Sequence, residues 1–426
     1  MIQREKDWID SGIIYQFTFS NSVIATIASL LYRIIVSMVP SSPGSTIAKD
    51  QKSVGIAACW GLDQSKQNDF FWWNHTDIHG SRLKYLFDRN DYQPTLDIVS
   101  RVHEQGFTPI AMNRNALGEF PSIYYRQRVS LVRIVQIIRT LLRILILALR
   151  SDILSRDILF VLMKELVSSL KLERQYKALG LAALWHYQES GPDHITSAMH
   201  LAGGIRLGTH WSCADSPNTG NMRTPHVYFL WGAHDARICI ESRSISQQLV
   251  IAGCAISEIN IDSVPKDAIL RKASSTRDKG AEIVLVLFDN STRVTNFYKY
   301  FLQWMLDDTR LGILIKPKKS NMRIAHSELD NLFSSASATG RMHILDPYIW
   351  PGDAAKIGDF CIGLGTMSAV AVSALAGART IYLDYARLNH NPLTKPYATL
   401  DSLGSDRCVF YDHETLKTSI SQYLDD

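Results

Sequence analysis

The sequence predicts an α/β fold of two lobes, on three observations. Short apolar runs of strand length alternate with helical patterns, the signature of parallel sheets. That rhythm breaks at a polar stretch, 256–280, and then restarts. The chain of 426 residues also exceeds the roughly 250–300 at which a single core stops growing. The expected division is an N-terminal lobe over 1–255, a linker over 256–280 and a C-terminal Rossmann-like lobe over 281–426.

Ile13–Val39 is long enough to span a bilayer, which takes about 20 apolar residues. Ser20, Asn21, Ser22, Thr26 and Arg33 would be costly at mid-membrane, so the expectation is a helix lying on a surface or packed in a core. Pro40 and the glycine-containing SSPGS end it. Ser53–Trp60 and Arg82–Phe87 read as strands, Thr95–Glu104 as a helix closed by Gly106, and Phe107–Met112 as a third strand. A long helical region, Arg128–Lys177, follows. After it come the apolar run Leu179–His186, a helix over Ile195–Ala202, and strands at Ile205–His210, Val227–Trp231 and Leu249–Ala255.

Beyond the polar stretch, Glu282–Phe288 (EIVLVLF) is a near-continuous apolar run, as buried parallel strands are. Helices at Asn296–Leu306, Glu328–Ser337, Gly352–Ile357, Met367–Ala376 and His413–Tyr423 alternate with strands at Leu311–Ile315, Met342–Leu345, Phe360–Ile362 and Thr380–Leu383. Five strands so interleaved make a doubly wound lobe.

Composition narrows the class. A 46% hydrophobic content with nine Trp excludes a mostly disordered chain. A net charge of +4 without a clustered basic face gives no support for nucleic-acid binding. Six Cys lie far apart with no CxxC spacing, which fits a reduced cytosolic chain and neither a disulfide framework nor a zinc site. No cleavable signal peptide stands out.

Arg128–Arg150 (RVSLVRIVQIIRTLLRILILALR) places Arg128, Arg139, Arg143 and Arg150 in one narrow arc, with Leu, Ile and Val around most of the rest. Two readings stand: a helix lying in an anionic membrane surface, or a scaffold helix with a solvated basic face.

Ligands of open α/β sheets bind at the carboxyl ends of strands, and phosphates favour the N-termini of the helices that follow. Asp359–Ser368 (DFCIGLGTMS) carries a strand into a helix through Gly363, Gly365, Thr366 and Ser368. Lys316 and Lys318 end another strand of the same lobe, and Asp346 a third. Hydroxyl, cation and carboxylate at adjacent strand ends suit a nucleotide. A glycine turn with no ligand and a solvated Lys loop are the plainer readings. The chain has neither GxxxxGK[ST] nor a GxGxxG directly after a strand, which argues against a P-loop NTPase and a dinucleotide oxidoreductase.

DFCIGLGTMSAVAVSALAGARTIYLDY (Asp359–Tyr385), preceded by ILIKPKK and HILDP, resembles the donor-binding lobe of GT-B glycosyltransferases of the bacterial surface-polysaccharide biosynthesis type. The likeness covers about 140 residues of the C-terminal half. It implies two facing Rossmann-like lobes, a nucleotide-sugar donor held mainly by the second and an acceptor by the first. Carried over by position, it puts Thr366 and Ser368 at the donor phosphates, Lys316 and Lys318 at phosphate or sugar, and Asp346 near the base, with Gly365 in the same donor-binding set. Where many members hold the ribose with a Glu, this chain has Ser373. The resemblance implies neither a bound metal nor a cofactor; the nucleotide-sugar is a substrate.

Acceptor-side candidates for a general base are polar residues at strand ends: Asp63, His210, and His234 with Asp235. Asp77 and His79, within FFWWNHTDIHG, come next; His75 and His79 lack a third ligand for a metal. Asp63 and His210 lead. The expected protein is a transferase acting on a lipid-linked or glycan acceptor, cytoplasmic and peripherally attached to the inner face of the cell membrane. A sugar-nucleotide epimerase and a non-catalytic polysaccharide-assembly protein are the alternatives.

Overall fold

A computed structural model gives the fold of the chain. It describes residues 52–57, 78, 80–88, 95–112, 131–150, 153–186, 194–209, 217, 222–254, 267–289, 295–318, 327–347, 349–365, 367–385, 387 and 407–425. The apolar stretch Ile13–Val39 lies outside them.

The first lobe contains β1 (Ser53–Ala57), β2 (Leu83–Phe87), α1 (Leu96–Glu104), β3 (Thr108–Ala111), α2 (Leu131–Leu149), α3 (Ile153–Ala178) and β4 (Leu181–Trp185). It continues with α4 (His194–Leu201), β5 (Ile205–Thr209), β6 (Val227–Leu230), α5 (Ala233–Glu241) and β7 (Gln248–Ile251). Its seven strands pair in parallel in the order β3-β2-β1-β4-β5-β6-β7. The long helical region read from the sequence is two helices. α3 seats Tyr176 against the sheet core of Leu86, Leu181 and Leu184, while its earlier turns offer Met163 and Val167 to Ile134, Ile137 and Leu141 of α2.

The second lobe runs through α6 (Asp267–Asp278), β8 (Ile283–Phe288), α7 (Thr295–Asp307), β9 (Leu311–Lys316), α8 (Asp330–Ala338), β10 (Met342–Ile344) and α9 (Pro351–Ala355). β11 (Phe360–Leu364), α10 (Ser368–Leu375), β12 (Thr380–Leu383), β13 (Val409–Phe410) and α11 (His413–Asp425) complete it. Its six parallel strands lie in the order β10-β9-β8-β11-β12-β13. This is the Rossmann order, with the reversal between β8 and β11. The first sheet reverses in the same way between β1 and β4.

β8 shows why its sequence is apolar throughout. Ile283, Leu285 and Leu287 enter the core under α7 and α11, while Val284, Val286 and Phe288 enter the core under α6, α9 and α10. Both faces are covered, so no alternation appears.

Two expectations are corrected in detail. Asp267–Asp278, inside the polar stretch read as a linker, is a helix that buries Ile269, Ala273 and Thr276. That stripe is spaced four and then three residues apart, on a helix whose remaining side chains are mostly polar. A sixth strand, β13, joins the five expected; its two residues are too few to stand out in sequence.

The glycine turn has a division of labour. A Cβ on Gly363 would lie 2.2 Å from Val370 Cγ2 and 3.1 Å from Met367 Sδ, so this glycine lets α10 press onto β11. Gly365 instead has φ +58°, and a Cβ there would meet nothing within 4 Å. Asp359, at the other end of β11, accepts from the Val284 amide at 2.7 Å and from Arg277 at 2.8 Å, clamping β11 to β8 and α6.

Candidate functional site

The carboxyl edge of the second sheet gathers polar groups from successive strands. Asp289 follows β8, Lys316 ends β9, Asp346 lies beyond β10, Gly365 follows β11 and Asp384 follows β12. Asp289, Lys316 and Asp384 are buried. Charged groups are rarely buried without a purpose.

Asp289 accepts from the Tyr298 hydroxyl at 2.8 Å. Burial, then the neighbouring carboxylate, holds that phenol well above its usual pKa. Lys316 donates to the carbonyls of Pro317 and Pro347, each at 2.8 Å. It therefore braces the loops after β9 and β10. Lys318, two residues on, is exposed, as is Asp346.

Gly365 turns β11 towards α10, which begins at Ser368. Met367 stands at the N-cap and gives no side-chain hydrogen bond to the first turn, where Ser, Thr, Asp or Asn would ordinarily serve. An apolar N-cap at the strand-order reversal, with open space before Gly365, is the arrangement an anionic ligand would complete. Ser368 is half-buried at the first helical position. Thr366 lies outside the described residues.

Ser373 does not look towards this edge. It is fully buried, and its hydroxyl donates to the Ala369 carbonyl at 2.7 Å within its own helix. The position matched to the ribose-binding Glu thus faces the interior of the lobe.

Farther along the edge, three rings join α7, β12 and α11. Tyr300 stacks on His413 with centroids 3.8 Å apart, and its hydroxyl donates to the His413 carbonyl at 3.1 Å. The Tyr385 hydroxyl meets His413 Nε2. Burial lowers the His413 pKa to about 4, against a smaller opposing pull from Asp412. Asp412 caps α11 through the Thr415 amide, 2.8 Å away.

In the first lobe, Asp63 and His210 lie outside the described residues, as do Asp77, His75 and His79. His234 and Asp235 occupy the first turn of α5, beyond the carboxyl end of β6. The structure adds a pair that sequence reading missed. Asp88 follows β2 and His186 follows β4, the two neighbours of β1. His186 Nε2 lies 3.3 Å from Asp88 Oδ2 at the strand-order reversal. The buried Arg206 approaches His186 Nδ1 at 3.5 Å and donates to the Thr196 hydroxyl at 3.0 Å. Arginine only donates, so in the neutral ring Nδ1 is the accepting nitrogen and Nε2 carries the hydrogen towards Asp88. The sequence signal was a polar residue directly after each of two apolar runs, LKYLF and LAALW. Nothing in sequence tied the two together.

No family model matches the sequence, and no curated protein does either. Solved structures do share the fold. A glycosyltransferase from Rickettsia africae aligns over 88% of this chain and 89% of its own, with 9% identity and a TM-score of 0.50. A UDP-N-acetylglucosamine 2-epimerase from Rickettsia bellii aligns over 88% of each chain, with 7% identity and a TM-score of 0.44. MurG of Acinetobacter baumannii aligns over 84% of this chain and 85% of its own, with 13% identity and a TM-score of 0.40. At these identities the likeness concerns the fold alone, and only the first of the three reaches a TM-score of one half. With the two sheet orders above, it makes the chain an α/β protein of two Rossmann-like lobes, GT-B-like in build.

Proposed function

We propose that the protein is a glycosyltransferase of the bacterial surface-polysaccharide type. It would take a nucleotide-sugar donor at the carboxyl edge of the second sheet and transfer the sugar to a lipid-linked or polysaccharide acceptor held by the first lobe. The observation that carries this reading is the start of α10. Its N-cap is apolar, the nearby Gly365 has open space where a Cβ would stand, and it follows the strand beside the order reversal.

In the reaction the acceptor hydroxyl oxygen bonds to the anomeric carbon while the bond from that carbon to the diphosphate oxygen breaks. The nucleoside diphosphate leaves with its added negative charge. Amide groups at the start of α10 and the exposed Lys318 oppose that charge. Ser368 offers a hydroxyl to the same phosphates. The acceptor proton passes to a base of the first lobe: Asp63 or His210 as the sequence suggests, or the Asp88–His186 pair. A lipid-linked acceptor would place the reaction at the inner face of the cell membrane.

Incubating the full chain with radiolabelled UDP- and GDP-sugars and membrane lipid extract tests this. Label moving into the lipid or polymer fraction is the expected result. Donor altered without any acceptor would point to an epimerase. Failure to bind any nucleotide or sugar nucleotide would point to an assembly protein without catalysis.

A further inference from the structure

Helix α2 has two apolar sides, and among the described residues one of them packs against the fold. Ile134, Ile137 and Leu141 pack on Met163 and Val167 of α3. The opposite side leaves Val132 at 70% and Val135 at 63% exposure, with Ile138, Leu142, Ile146 and Leu147 each more than a third exposed. Arg139, Arg143 and Arg150 stand exposed on the same side. None has a carboxylate partner among the described residues. At 100° per residue, Ile138, Leu142, Val135 and Ile146 form one apolar arc, and the three Arg form the arc beside it. The 23 residues from Arg128 to Arg150 hold five Arg and no Asp or Glu.

We infer that the outer face of α2 is a docking surface for an anionic lipid bilayer. The aliphatic arc enters the acyl boundary, and Arg139, Arg143 and Arg150 meet lipid phosphates. The charge pattern selects this occupant. A stripe of guanidinium groups with no carboxylate partner among the described residues repels a second copy of itself, whereas an anionic headgroup layer matches it. Among the described residues no helix is long and apolar enough to cross a membrane, so α2 lies along the surface. At 19 residues it presents a face about 28 Å long. The purpose of this surface, bringing the chain to a lipid-linked acceptor, rests on the transferase reading; the surface itself does not.

The test is flotation of the full chain with vesicles of phosphatidylcholine alone and of phosphatidylcholine with phosphatidylglycerol. The expected result is binding to the mixed vesicles that weakens with salt. Each Arg near the surface contributes about 1 kcal/mol, or roughly fivefold in affinity. R139Q/R143Q should therefore bind about 30-fold more weakly, and R139K/R143K should bind as wild type does. L142S/I146S should lose binding while keeping its Tm, because both side chains are already exposed. The inference is overturned by absence of binding to mixed vesicles, by equal binding to both vesicle types, or by R139Q/R143Q binding unchanged. A dimer that L142S/I146S dissolves would also overturn it, by assigning the face to a second copy. Nucleotide-sugar binding is measured on the same samples. If the donor binds and vesicles do not, this surface falls and the transferase reading stands. If vesicles bind and no donor does, the reverse holds.

Discussion

The ammonium of Lys316 lies 2.8 Å from the Pro347 carbonyl oxygen and joins the end of β9 to the turn beyond β10. A buried cation held by two carbonyls braces the edge on which a donor would rest. Lys316→Met removes both hydrogen bonds and strands the carbonyls, at a cost of about 1–3 kcal/mol. Urea denaturation of that variant should show this loss. Lys318→Ala, at an exposed position, should leave the urea midpoint in place and weaken nucleotide binding in a calorimetric titration.

Gly363 and Gly365 should respond differently to alanine. Gly363→Ala drives a methyl into Val370 and should cost about 1–3 kcal/mol through overpacking. Gly365→Ala meets open space but keeps a positive φ, costing about 1 kcal/mol or somewhat more. Because Gly365 lies just ahead of α10 in the chain, donor affinity should fall by more than its stability does. Parallel urea and binding titrations of the two variants check this.

His413 makes acid stability predictable in sign. Its folded pKa, about 4, lies below the ordinary 6.5, so between those values the unfolded chain binds the additional proton. Stability from this group is complete above about pH 6.5 and is lost as pH falls towards 4. His413→Phe should flatten the Tm profile across that window relative to wild type. An unchanged slope would show that His413 is not the titrating group.

The Asp88–His186 pair should separate chemistry from donor binding. General acid–base groups contribute about 100-fold or more. His186→Asn and Asp88→Asn should each lower transfer by that order while donor affinity holds. Transfer at the wild-type rate in both variants would return the base to Asp63 or His210.

Where an element is buried on both faces, or carries a clear cap at each end, the sequence showed it. β8 is buried on both faces and reads as EIVLVLF; α1 begins at the Thr95 cap and ends at Gly106, with φ +80°. A small buried stripe without such end signals was hidden. α6 buries only Ile269, Ala273 and Thr276 and so read as a polar linker. The polar carboxyl edge of the second sheet was legible because each strand ends in a polar residue within a few positions. The burial of Lys316 and the inward turn of Ser373 were not, since both depend on α9 and the loops packed against them. Asp88 and His186 meet only because β2 and β4 flank β1, a relation of topology rather than of spacing.

The most direct measurement is a crystal structure of the full chain soaked with UDP- and GDP-sugars. The predicted result is a diphosphate within hydrogen-bond distance of the amides at Ser368 and Ala369, with Lys318 turned towards it. A nucleotide bound at another edge, or the Gly365 turn filled by the protein's own side chains with every soak, would contradict the proposal.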